Sequence, residues 1–510
     1  MRPNVVNRLP WDVETDVLAV TVPSDETVPE YLAEIDRRLG GAIGRLREVG
    51  ALPGKLWGAR LLPASDMGAR FVLVVGVDDG SAIDELGARR LGAVIIKALV
   101  GMDVGSLAVH LPDELVSRGA ASQAAIVELL TRGLIEGAAD PRSVYTEPGD
   151  VAPELDSVTF VVESGERTEL AERAERGRVI GEGGNRTRRL AHRAANDVSP
   201  EVLADEASDL AAAHGLELTV LGPTEAQKLG MGLFMSVAQG SDNEPRFIVL
   251  RSKPELGRDA SGRLLAMVGK GVTFDTGGIS LKPPANMGEM KTDKTGACTV
   301  LNAIATAAQL APELPLLAVA PAVENMPGPR STRPGDVVKA MNGKTVEINN
   351  TDAEGRLILA DALTWTEQQG ATHVVDVATL TGAMARALGR YMTGGFGTTD
   401  SWWEQVASAA ARQGEPLWRM PLVEDLRKDL DSPFADLSNI GTVPEGGAIT
   451  AALFLREFTD LPLVHLDIAG TAFLSKVDPF STKGSTGVMH ATLVELALAG
   501  AQTQAGGAEA

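Results

Sequence analysis

Residues 349–363 read NNTDAEGRLILADAL. An Asp, a Glu and an Arg fall within five residues, spaced by small side chains, and an apolar run rich in Leu and Ala follows at once. The run LILADALTW has the length and composition of a core-facing helix. Asp352 and Glu354 at its entrance suit the free N–H groups and positive dipole end of a helix N-terminus, so one reading is an ordinary helix start. The spacing supports a second reading. In an extended segment residues two apart point the same way, so Asp352, Glu354 and Arg356 would converge on one side, with Thr351, Ala353 and Gly355 leaving room on the other. What they converge on must come from elsewhere in the chain.

Outward from this stretch, runs rich in Val, Ile and Leu recur: LELTVLG, RFIVLRSK, LLAMVGKG, LPLLAVAPAVE, HVVDVATLTG and LVHLDIAG, separated by helical patterns. Such alternation predicts an α/β domain with a mainly parallel sheet, whose ligands bind beyond the carboxyl ends of the strands. The first third alternates in the same way, with VLAVTVP, RFVLVVGV, SLAVHLP and VTFVVE interleaved with LGARRLGAVIIKAL and QAAIVELLTRGLIEG. Between them, residues 163–196 are densely charged and poor in large apolar side chains. The expected organisation is an N-terminal α/β domain over 1–165, a charged helical connection over 166–196, a larger C-terminal α/β domain over 197–500, and a flexible Ala/Gly/Gln-rich tail over 501–510.

The 510 residues are too many for one ordinary core, and a hydrophobic fraction of 44% suits a soluble globular protein. MRPNVVNRLPWDVETD turns polar too early for a secretory leader, and no apolar run is long enough to cross a bilayer. Cys298 is the only cysteine, which excludes an intrachain disulfide and a Cys-rich zinc site and points to a reducing cytoplasm. Its small-residue helical surroundings mark it as buried filler. A net charge of −21 disfavours nucleic acid and anionic membrane as partners. The six histidines show no H-E-x-x-H pair and read as surface or core residues. MNGKT at 341–345 lacks the first glycine of a phosphate loop, and Asn342-Gly343 is better read as a hairpin turn.

Chemistry gathers in the C-terminal domain. Lys270 and Asp275 follow a strand-like run in VGKGVTFDTGGISLKP, Lys282 follows its Gly-Gly loop, and Asp293 in EMKTDKTGAC stands before a helical pattern. With Asp352 and Glu354, four carboxylates occupy strand-end or helix-start positions. Unpaired in a dry cleft each would cost on the order of several kcal/mol, and two divalent cations would neutralise them. Two-metal centres of this kind serve hydrolysis, of a peptide or of a phosphoester.

NTDAEGRL at 350–357 resembles the signature of the leucyl aminopeptidase, or cytosol aminopeptidase, family. The resemblance continues through VGKGVTFDTGGISLKP, DVATLTGA, SPFADLSNIG and HLDIAGTA, across most of 265–490; the region before about 165 carries no such motif. It implies that Lys270, Asp275, Asp293, Asp352 and Glu354 are the metal ligands. Asp275 and Glu354 would bridge the ions, Lys270 and Asp293 would complete the tighter site, and Asp352 would serve the more exchangeable one. Lys282 would hold the substrate carbonyl, Arg356 would anchor a bicarbonate acting as general base, and Met290, Thr379 and Gly382 would line the pocket for the first side chain. Lys294 and Thr295 depart from the usual Met and small residue; a lysine beside Asp293 is expected to point away from the metals.

The implied protein is a cytoplasmic metallo-exopeptidase, a homohexamer that uses two Mn2+ or Zn2+ ions per subunit to release apolar N-terminal residues such as leucine from unblocked peptides. Two other readings are a two-metal phosphoesterase, which would need basic residues in its pocket, and a DNA-binding accessory role, which would need a basic groove.

Overall fold

The computed structural model describes residues 1–23, 30–51, 57–77, 83–117, 121–140, 146, 149–253 and 257–502. The expected tail lies outside the described residues from 503 onward. Two compact units divide the chain, the first built mainly from Met1–Asn185 and the second mainly from Arg186–Ala411 and Glu415–Ser475.

The first unit carries a six-stranded sheet in the order Arg2–Val6, Ser157–Val162, Ser106–Leu111, Thr15–Pro23, Ala69–Val77, Ala59–Pro63. All pairings are parallel except that of the edge strand Ala59–Pro63. A parallel sheet covered on both faces demands continuous apolar strands, and Thr15–Pro23 is buried at nearly every position. Helices Glu85–Lys97 and Gln123–Gly137 pack at close range, because Gly133 meets the backbone of Arg89: a methyl group there would lie 2.0 Å from the Arg89 carbonyl oxygen.

The second unit holds a nine-stranded sheet, mostly parallel at its centre, where Leu463–Asp467, His373–Ala378, Leu265–Gly269 and Leu316–Asn325 lie side by side. Gly271–Asp275 pairs with the far half of Leu316–Asn325. Ala266, Val268, Leu317 and Val319 share one core with helices Gly355–Gln368, Gly232–Ala238 and Gly447–Arg456. Helix Thr295–Leu310, buried along nearly its whole length, packs on the same strands and against Pro200–His214 and His490–Gln502. Alternation along each strand assigns the two sets of helices to opposite faces.

A small sheet stands beside the large one. Asp336–Lys339 and Thr345–Ile348 form an antiparallel hairpin turned at Asn342-Gly343, and Leu437–Ser438 pairs parallel with the second strand. The charged stretch after residue 163 is one continuous helix, Arg167–His192. No helix among the described residues is long and apolar enough to cross a membrane.

Candidate metal centre

The carboxyl ends of the central strands deliver the predicted residues to one place. Lys270 follows Leu265–Gly269 directly, Asp275 ends Gly271–Asp275, and Asp293 follows the short 3-10 helix Met287–Thr292. Glu354 stands at the N-cap of Gly355–Gln368. Asp275, Asp293 and Glu354, all buried, offer oxygens within 4.8 Å of one another. Lys270 Nζ lies 2.9 Å from Asp293 Oδ2 and 2.7 Å from Glu354 Oε1, and it donates to the Thr379 carbonyl at 2.8 Å. Lys282 Nζ lies 2.7 Å from Asp275 Oδ2 and also pairs with Asp352.

The extended reading of 352–356 does not hold. Ala353 N–H donates to the Asn350 carbonyl in a tight turn, Glu354 already has helical angles, and Arg356 sits in the first helical turn. Convergence therefore comes from a turn joined to a helix start. Glu354 takes the N-cap position, yet its side chain makes no capping hydrogen bond and is directed to Lys270. Gly355 is needed because Lys270 crosses it: an added methyl would lie 2.7 Å from Lys270 Cε.

Four carboxylates face two ammonium groups here, mostly out of water. Burial, then repulsion from Asp275 and Glu354, pushes the Asp352 carboxyl up to about 6. Burial and neighbouring carboxylates also raise Glu354 and Asp293. Burial alone would lower Lys270, but Asp293, Glu354 and Asp275 outweigh it and hold the ammonium form. Adjacent dications would invert that balance, neutralising the carboxylates and repelling the proton from Nζ. Glu354 Oε2 is buried with no hydrogen-bond partner. A buried carboxylate oxygen in that condition, amid excess negative charge and an oxygen-rich donor set with one amine, fits a divalent cation.

Arg356 is buried. Its Nη1 donates to the Asn439 carbonyl at 2.9 Å, while its Nε is buried with no partner. Burial pulls its pKa down to about 10 against the opposing pull of Glu354 and Asp467. Lys294 points away from the carboxylates, as expected: its Nζ donates to the carbonyls of Lys291 at 2.6 Å and Arg193 at 3.0 Å. Cys298 is buried, and burial pushes its thiol up to about 12.

The pocket candidates differ among themselves. Thr379 Oγ1 donates to Asp293 Oδ1 at 2.6 Å, so this side chain holds one of the clustered carboxylates. Met290 is half-buried in Met287–Thr292, and Gly382 is an exposed first residue of helix Gly382–Leu388.

Motif reading missed several supporting residues. Asn325, the polar end of an apolar strand, donates to Asp275 Oδ1 at 2.8 Å. Thr351 Oγ1 donates to the Gly277 carbonyl and accepts from Ser280 N–H. Asp467 accepts from the N–H groups of Leu380 and Thr381 and from the Thr381 hydroxyl. Asn325 is signalled only by its place at a strand end, whereas Thr351 and Asp467 lie inside NTDAEGRL and HLDIAGTA with no local sign of these bonds.

Comparison with known proteins agrees with the geometry. The model for the catalytic domain of the cytosol aminopeptidase family matches residues 185–494. The model for that family's N-terminal domain matches residues 17–138, so the likeness extends into the region where no motif was visible. The chain is 44% identical over 473 residues to a probable cytosol aminopeptidase of Solibacter usitatus (strain Ellin6076), covering 92% of this chain and 95% of the relative. It is 34% identical over 486 residues to one from Persephonella marina (strain DSM 14350 / EX-H1), covering 94% and 96%. Among solved structures it is similar to a mutant of tomato leucine aminopeptidase, with a TM-score of 0.87 at 31% identity over 98% of this chain and 96% of that one. It is also similar to the bottromycin maturation enzyme BotP in complex with Mn, with a TM-score of 0.80 at 30% identity over 95% and 99%.

Proposed function

The chain belongs to the cytosol aminopeptidase family and is a metal-dependent enzyme that removes N-terminal residues from peptides; from that premise we propose that its centre holds two divalent cations on Lys270, Asp275, Asp293, Asp352 and Glu354. The observation that carries this reading is the set of three buried carboxylates with oxygens within 4.8 Å, one of them, Glu354, with an unpartnered oxygen. Asp275 and Glu354 would bridge the cations, Lys270 as a neutral amine and Asp293 would complete the tighter site, and Asp352 would serve the other. BotP was solved with Mn, which supports Mn2+ here; Zn2+ suits the same nitrogen and oxygen donors. When bound, the cations supply Lewis acidity at the scissile carbonyl and acidify water.

The chain's own residues supply the remaining chemistry. Lys282, paired with Asp275 and Asp352 at the partly open side of the cluster, would donate to the oxygen that gains charge as the carbonyl is attacked, and its nearness to those carboxylates supports this role. Arg356 offers a planar fork with a free Nε, suited to holding bicarbonate through two oxygens as the general base. Met290, Thr379 and Gly382 border the pocket for an apolar first side chain such as leucine. The family resemblance supports a homohexamer working in the cytoplasm.

The test is hydrolysis of leucyl-p-nitroanilide by metal-stripped protein, titrated in turn with manganese, zinc, cobalt and magnesium and repeated with an N-acetylated leucyl substrate. Activity should return with a divalent cation and only for the free amine. Full activity without cations, or equal kcat/KM for the blocked substrate, would contradict the reading.

A further inference from the structure

The loop that carries two proposed ligands and the anion-holding arginine is pinned by a residue outside it. Asn439, fully buried, lies one position beyond strand Leu437–Ser438, whose parallel pairing sets Val346 against Leu437 and Glu347 against Ser438. Continued by one residue, that register sets Asn439 against Ile348, and its side chain reaches residues 349 and 350. Its Oδ1 accepts from the N–H groups of Asn349 at 2.9 Å and Asn350 at 3.2 Å. Its Nδ2 donates to the carbonyls of Asn350 at 2.7 Å and Ala353 at 3.4 Å. Its own carbonyl accepts from Arg356 Nη1 at 2.9 Å, and its N–H donates to the Glu347 carbonyl at 3.0 Å.

A carboxamide has one acceptor oxygen and two N–H donors, and Asn439 directs all of them at the backbone of 349–353. No other residue type presents a donor and an acceptor in one plane at this length. One residue thus holds the loop before Asp352, the backbone just before Glu354 and the guanidinium of Arg356 in a single frame. We propose that Asn439 is a positioning residue, one that keeps the metal-ligand pair Asp352 and Glu354 in register with the anion-holding Arg356. The inference rests on the two-cation reading given above. Without the carboxamide, the N–H groups of Asn349 and Asn350 and the Ala353 carbonyl lose these bonds, the Asn350 carbonyl keeps only the one from Ala353 N–H, and the loop must move to find others.

Ser438, the adjacent residue, is the control. It accepts from the Asn349 side chain and bonds to Ile440, and it makes no bond to the backbone of 349–353. The experiment measures Mn2+ affinity of the metal-stripped full chain by calorimetry, the Tm of the metal-free protein, and stimulation of kcat by added bicarbonate, for the parent, Asn439→Ala, Asn439→Asp and Ser438→Ala. Removal of an outer hydrogen-bond partner of metal ligands weakens affinity by roughly 10–100-fold, and that is the loss expected of Asn439→Ala, with a blunted bicarbonate response and Ser438→Ala close to the parent. Asn439→Asp keeps Oδ1 but replaces the donors with a second acceptor oxygen facing the Asn350 and Ala353 carbonyls, so it should show the same direction of change and serves if Asn439→Ala does not fold. Parent-like Mn2+ affinity and bicarbonate response in the Asn439 variants, with a lowered metal-free Tm, would make the residue merely structural and overturn the proposal. Equal losses in Ser438→Ala would overturn it too. A parent that binds no Mn2+ would instead remove the two-cation reading, and this inference with it.

Discussion

Lys270 crosses Gly355, the first residue of helix Gly355–Gln368, on its way to Asp293 and Glu354, so that a methyl group added at Gly355 would lie 2.7 Å from its Cε and 2.8 Å from its Nζ. Gly355→Ala is therefore expected to set two effects against each other. Helix propensity favours Ala by about 1 kcal/mol, and overpacking costs about 1–3 kcal/mol, so thermal stability should change little. Activity should not be spared. A ligand displaced by about 1 Å can cost on the order of 10²-fold in rate, and kcat at saturating Mn2+ should fall on that scale. A parent-like kcat would show that Lys270 does not need the space.

Lys282 and Arg356 share a charge but should differ in response. Lys282→Ala should lose roughly 3–4 kcal/mol of transition-state stabilisation, the scale of a single oxyanion donor, and keep its response to bicarbonate. Arg356→Lys should also slow, with both metals retained, and respond less to bicarbonate than the parent because an ammonium cannot reproduce the two-oxygen grip. The measurement is kcat of each variant in degassed buffer across a bicarbonate titration. A parent-like response in Arg356→Lys would remove the anion role.

His110 gives the first unit a pH-dependent stability. Its ring is 2% exposed, and burial pulls its pKa from the ordinary 6.5 to about 4. The unfolded chain gains a proton near 6.5 and the folded chain only near 4. Stability is thus intact above 6.5 and falls as the pH drops toward 4, by up to roughly 3 kcal/mol. His110→Leu should abolish that part of the slope. The check is the Tm difference between about pH 7.5 and about pH 5 in parent and variant, and equal differences would contradict it.

Apolar alternation made both sheets legible, since parallel strands buried on two faces must read as continuous Val/Ile/Leu runs. The residues of the carboxylate and lysine cluster were legible through short, dense motifs. What the motif could not convey was backbone geometry: it left a helix start and an extended segment open, and the Asn350–Ala353 turn and the helical angles of Glu354 favour the helix start and bring the side chains together differently from an extended run. The small residue at Gly355 does leave room, and what fills it is Lys270, 85 positions away. Asn325 lies in no quoted motif, and although SPFADLSNIG and HLDIAGTA contain Asn439 and Asp467, nothing local in them records the long-range bonds through which these residues act. The family likeness over 17–138 was equally hidden, because no motif of reactive residues stands in that region.

The central claim is that Asp275 and Glu354 are shared by two cations. Elemental analysis after Mn2+ loading and desalting tests it most directly, on the parent, Asp275→Ala and Glu354→Ala. Two metals per chain are predicted for the parent and loss of both in either variant, because each carboxylate would serve both ions. Two retained metals per chain in either variant would contradict the account.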